Sequence, residues 1–254
     1  ENYLVEESQL AAYTIRYYTD NFPSLNSLYG DDEMATDNAT TRNSSNRYLI
    51  GEWKTPASGG EWNFNNIYTL NYFIQSTEKN LETGSIKGNS TNIKHYIGEG
   101  YFLRAYQYFY RLRKLGDFPI IKEVLPDNKE ALVEASKRQP RNEVARFILQ
   151  DLDKAIEYLT NNPDGGKARI TKNAALVLKA RVALFEATWE KYHAGTALVP
   201  NGKGWPGAEK DYNKGYQFPS GSPEAEVNFF LDQAINASQT VADAVALTAN
   251  NGSI

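Results

Sequence analysis

Residues 97–121, IGEGYFLRAYQYFYRLRKLGDFPII, decide the fold class. Within this stretch and just ahead of it, from Asn92 to Leu115, Phe102, Ala105, Phe109 and Leu112 recur at steps of three and four residues. That spacing lines one face of an α-helix. Gly116, with Pro119 just beyond, supplies the stop. Tyr101, Tyr106, Tyr108 and Tyr110 crowd the same helix and cannot all face one stripe, so some of them pack into a neighbouring layer. The expectation is a long helix embedded among others.

Outward from this helix the same period returns. From Arg141 to Leu159 a second stripe runs through Val144, Ile148, Leu152, Ala155 and Leu159, with Glu143 early and Pro163 and two glycines after its end. Thr171 reads as the N-cap of a third helix carrying Leu178, Val182, Phe185 and Trp189, which makes a hairpin with the second. A weaker helix spans Trp62 to about Asn80, a late one Pro223 to Leu247, and a short one Val5 to Tyr18. Trp62 and Trp189 fall at helical positions and are expected in the core. Two connections, Phe22 to Glu61 and Ala194 to Ser222, are polar and far longer than the usual helix link of about 2–8 residues, which marks them as functional or disordered, with function the favoured reading. Small residues ahead of large ones, Ala105 before Phe109 and Ala180 before Leu184, suit a tetratricopeptide-like stack without its full consensus. The reading is one all-α domain over residues 1–254, a tetratricopeptide-like helical array with long irregular loops.

Composition narrows the chemistry. The chain has 254 residues, 41% hydrophobic and 23% charged, which is a globular balance. A formal charge of −4 gives no footprint for a polyanion, so nucleic acid is set aside as a partner. Without cysteine there is no thiol catalysis, no disulfide and no thiolate metal site. No run of 18 apolar residues and no signal-peptide pattern occurs in it. Its 17 Tyr and 4 Trp, with abundant Asn, suit surfaces that contact sugars or other polar chains.

The stretch 97–121 also resembles the signature of the SusD-like (RagB/SusD) family, an acidic residue followed by an FLRA core, aromatic pairs and a closing G-D-x-P. Neighbouring blocks agree in order: WNFNNIYTLNYFI with a small shift at Leu70 and Asn71, RQPRNEVARFILQDLDKAIEYL, and RITKNAALVLKARVALFEATWEKYH. The resemblance covers roughly Asp31 to Val245, and since family members are about twice as long, the chain looks like their helical N-terminal half. It implies an outer-membrane nutrient-binding lipoprotein on the external face, held by a lipid on a cysteine outside this sequence. It also implies a SusC-like TonB-dependent transporter as partner, a glycan as ligand, no cofactor and no catalysis. The same scaffold binding peptides or another nutrient, an interaction module without its own ligand, and a surface hydrolase are the alternatives.

Each candidate chemistry has a plain structural counterpart. Asp31, Asp32, Glu33 and Asp37 lack the spacing of a calcium loop and read as a solvated segment. His95 and His193 belong to no hydrolase motif; His95 is placed on the flank of the long helix and His193 near a helix C-terminus. With 31 Asp and Glu, paired carboxylates carry no diagnostic value for glycoside hydrolysis. Glu99 is expected to be a structural partner of Arg104 or Arg141, and Arg104 and Asp117 to be structural too. A pyranose offers an apolar C–H face ringed by hydroxyls, which a flat aromatic ring and adjacent polar side chains can take. Asn46, Arg47, Tyr48 and Trp53 in the first long loop form the first such set. Trp205, with Tyr212 and Tyr216, forms the second.

Overall fold

The computed structural model describes residues 3–22, 50–51 and 60–248. Among them are seven α-helices: α1 (Glu7–Asn21), α2 (Asn65–Glu82), α3 (Ser90–Leu115), α4 (Lys129–Ala135), α5 (Arg141–Tyr158), α6 (Lys172–Tyr192) and α7 (Pro223–Ala244). No strand occurs among the described residues, only two isolated bridges. Contacts run α2 to α3, α3 to α5, α5 to α6 and α6 to α7, with α1 laid on α3. This neighbour-to-neighbour order is the helical array that the period-3.6 pattern predicts.

Local chemistry fixes the ends. The Asn89 side chain accepts from the backbone N–H of Thr91 and Asn92 and so starts α3, while Gly116, at φ 70°, closes it. Thr171 caps α6 by accepting from Ala174, as expected, and Ser222 with Pro223 starts α7 in the same way. The short α4 was not expected. It buries none of its residues and leaves Leu132 and Val133 exposed, so it has no apolar stripe to betray it; its one signal is the Asn128 cap. Leu184 is also exposed and Ala180 only half-buried, whereas the small residues Ala175, Ala183 and Ala187 of α6 are buried.

Buried polar groups tie the array together. Glu99 accepts from Thr14 Oγ1 (2.5 Å), Tyr18 Oη (2.6 Å) and Arg169 (2.8 Å), which joins α1, α3 and the turn before α6. The expected pairing with Arg104 or Arg141 is therefore wrong in partner, though right in kind. Glu99 and Arg104 are five residues apart, off the three- and four-residue spacing that shares a helix face. Arg104 instead grips Asp151 of α5, and Arg141 grips Glu186 of α6. His95 is buried, not on a flank; its Nδ1 accepts from the Thr160 N–H. The α3 tyrosines pack as expected: Tyr108 lies in the core on Ile121, Tyr101 donates to Glu78 and Tyr110 to Glu61.

Gly100 explains how close α2 and α3 come. A Cβ placed there would lie 2.7 Å from the ring of Phe73, which is itself buried and stacked on Tyr13. Gly100→Ala gains about 1 kcal/mol of helix propensity and incurs an overpacking cost of about 1–3 kcal/mol. The expected result is a net loss of about 1 kcal/mol and a fall in Tm of about 2–4 °C, read by thermal unfolding. An unchanged or raised Tm would mean the α2–α3 contact is looser than described.

Candidate functional site

The G-D-x-P turn after α3 is where the long loops are anchored. The Asp117 carboxylate accepts from the Arg141 backbone N–H at the start of α5 (2.9 Å) and from the Trp205 indole N–H (2.7 Å). Burial pushes this carboxyl above its usual range, and the Trp205 and Arg141 donors oppose that rise. Phe118 exchanges two backbone hydrogen bonds with Gln139, stacks on Phe64 and meets Trp62 edge-on. Arg111 donates twice to the Asn63 carbonyl and so holds residues 61–64 against α3. One turn thus gathers the end of α3, the start of α5, the entry to α2 and the 194–222 loop.

These elements enclose a cleft of about 670 Å³. Trp62, Trp189, Trp205 and Tyr212 line it, with the cationic side chains of Arg113, Lys114, Arg138, Arg141 and Lys210 and the single carboxylate of Asp117. Trp62 is 43% exposed and Tyr212 42%, so each presents part of its ring to solvent. The expectation of a core Trp62 is corrected here: the residue precedes α2 and meets Phe64 and Phe118 in T-shaped contacts. The Arg138 guanidinium lies 4.6 Å from the Trp62 ring centroid. Trp189 is half-buried, held between Arg141 (4.2 Å) and a stacked His193, and its indole N–H donates to Leu198. His193 caps the C-terminus of α6, as expected.

Of the residues singled out in the sequence, Trp205 lines the cleft but is only 3% exposed, a wall fixed to Asp117 and not an open ring. Tyr216 turns its hydroxyl to Asn142 and Glu143 and secures the loop on α5. Tyr212 is the member of that patch left accessible. Asn46, Arg47, Tyr48 and Trp53 lie outside the described residues, as do Asp31, Asp32, Glu33 and Asp37. Arg138, Trp62 and Asn213 belong to the cleft and were not singled out as ligand contacts. Trp62 carried a signal, an aromatic at the end of a long polar loop, but the helical period beyond it overrode that reading. Among the described residues no group of three His, Asp or Glu is placed to hold a metal ion.

Comparison with known proteins agrees with this architecture. Residues 3–184 match the SusD-like family model described as starch-binding and associating with the outer membrane. SusD-like protein P2 of Formosa agariphila is 30% identical over 118 residues, 46% of this chain and 23% of that protein. A solved SusD-like carbohydrate-binding protein from Bacteroides fragilis aligns with a TM-score of 0.52 and 21% identity, over 75% of this chain and 39% of its own. This chain spans less than half the length of either relative. The family match covers more than half of the chain and runs through the blocks from α1 to α6, so the chain belongs to the SusD-like family.

Proposed function

We propose that this chain captures oligosaccharides at the external face of the outer membrane and presents them, uncleaved, to a SusC-like TonB-dependent transporter. The observation that carries the reading is the cleft, where two part-exposed rings, Trp62 and Tyr212, stand among hydrogen-bonding side chains. Rings of this kind take the C–H face of a sugar while polar neighbours take its hydroxyls. Family membership supports glycan as the ligand class. Binding without turnover is supported by the donor set: glycoside hydrolysis by the usual route needs two carboxyl groups across the scissile bond. Among the described residues that line the cleft only Asp117 is acidic, and both of its oxygens are engaged. No helix among the described residues is long and apolar enough to cross a membrane. The attachment we infer, on family membership, is a lipid anchor. Asn46, Arg47, Tyr48 and Trp53, in the loop ahead of Trp62, are proposed as further ligand contacts.

The test is calorimetric titration with neutral and acidic oligosaccharides, with reducing ends assayed in parallel. Trp62→Ala and Tyr212→Ala are each expected to weaken binding about tenfold, the loss of one ring's contact, with no new reducing ends. Unaltered affinity in both variants would move the site elsewhere, and release of reducing ends would overturn the non-catalytic reading.

A further inference from the structure

The cleft is far more basic than the chain that forms it. The whole sequence carries a formal charge of −4, yet five cationic side chains line this one cavity against a single carboxylate. Arg141 is neutralised by Glu186, and Asp117 is held by Trp205. Arg113, Lys114, Arg138 and Lys210 are exposed, and among the described residues none of them forms an ion pair. Glu209 and Asp211 share the loop with Lys210, but neither lines the cavity. Unpaired like charges gathered in a concave site repel one another, a cost that a bound anion would relieve. A second observation points the same way. Asn213 lines the cleft, is buried, and its amide nitrogen has no hydrogen-bond acceptor. A buried donor without an acceptor is uncommon and calls for a ligand oxygen to complete it.

We infer that the cleft selects acidic oligosaccharides, chains bearing carboxylate or sulfate groups, over neutral ones. This rests on the reading of the cleft as the glycan site. The rings take the sugar faces; Arg138, beside Trp62, and Lys210, near Tyr212 in the loop, take the anionic substituents. Asn213 donates to one of their oxygens. Carboxylate and sulfate share this chemistry. Arginine matches the geometry of both, and the ammonium groups act as point charges.

The experiment titrates the chain with tetragalacturonate, a carrageenan tetrasaccharide and the neutral cellotetraose and maltotetraose, at about 20 mM and about 1 M salt. Exposed charge pairs are individually weak, so the expected preference of about tenfold for one or both acidic probes comes from several acting together. It should vanish at about 1 M, where the screening length is about 3 Å. The exposed pair Arg138→Gln with Lys210→Gln should bring the ratio of acidic to neutral affinity close to one. Preference for the carboxylated or the sulfated probe would name the substituent. Neutral and acidic probes bound equally at both salts would overturn the inference and leave the glycan reading standing, as would a preference that survives in the double variant. No binding of any probe would overturn both.

Discussion

Replacing Arg104 by methionine is expected to lower the stability of the fold by about 3–5 kcal/mol, the usual cost of stripping one partner from a buried ion pair. Arg104 and Asp151 are both buried and meet through two parallel hydrogen bonds of 2.8 and 2.7 Å. The third guanidinium nitrogen donates to Asn71 Oδ1 and to the Lys122 carbonyl. Asn71 in turn donates to the carbonyls of Ile121 and Glu123, so one arginine ties α2, α3, α5 and the segment after α3 together. Burial pushes the Asp151 carboxyl up, and Arg104 opposes it. Without the arginine, Asp151 is protonated in the folded state up to a higher pH than in the unfolded chain. Stability of the variant is then intact below the ordinary carboxylate range and is lost as pH rises, so the deficit should be larger at pH 8 than at pH 4.5. Urea unfolding at both values measures this. Adding Asp151→Leu should recover most of the loss, because an apolar pair replaces a buried ionic one at little net cost. If the double variant is as unstable as the single one, the cost lies in the Asn71 network and not in the orphaned carboxylate.

This pair shows what a sequence carries and what it does not. The positions of the helices were legible because burial imposes a period of 3.6 on apolar residues, and the caps at Thr171 and Gly116 because few residue types can occupy them. That Arg104, Asp117 and Glu99 are structural was also legible. Their partners were not: Asp151 is 47 residues from Arg104, and Arg169 is 70 from Glu99. Such distances are bridged only once helices are stacked, and no local spacing rule reaches that far. Asn71 is the clearest case. It reads as a blemish in an apolar helix, yet it is fully buried and satisfied on three sides.

The candidate cleft was legible in part for the same reason. Aromatics in long loops mark a region, so the 205–216 patch was singled out, but exposure decides which ring is open. Trp205 is turned in by a hydrogen bond to Asp117, 88 residues away, and Tyr212 is left out. The cationic lining was invisible, since Arg113, Arg138 and Lys210 come from three separate segments of a chain whose overall charge is negative.

The pH dependence of stability should turn on Glu190. This residue is 5% exposed, and as a carboxylate neither of its oxygens has a donor. It lies near Glu186, already gripped by Arg141, and Glu226, already gripped by Arg146. Burial, followed by repulsion from Glu186 and Glu226, pushes its carboxyl up to about 9, so at pH 7 it is a neutral acid able to donate to Glu186. The folded value exceeds the unfolded one. The stabilisation is therefore complete below the ordinary glutamate range and is lost as pH rises towards about 9, at up to about 1.4 kcal/mol per pH unit. Glu226 has the opposite sign: burial raises it, but Arg146, Asn142 and Ser220 together hold it below its usual value, so its contribution is lost only as pH falls through the acid range. Glu190→Gln keeps the shape and a donor for Glu186 while removing the proton. The variant should match the parent near pH 5 and exceed it by about 2–4 kcal/mol at pH 8.5, with a flatter pH profile in urea unfolding. Parallel profiles would show that Glu190 is ionised in the fold. Because Arg141 holds Glu186 on one side and lines the cleft on the other, loss of the Glu190 proton adds a second negative charge behind the cleft wall. Affinity for acidic oligosaccharides should weaken over the same alkaline range in the parent and hold in Glu190→Gln.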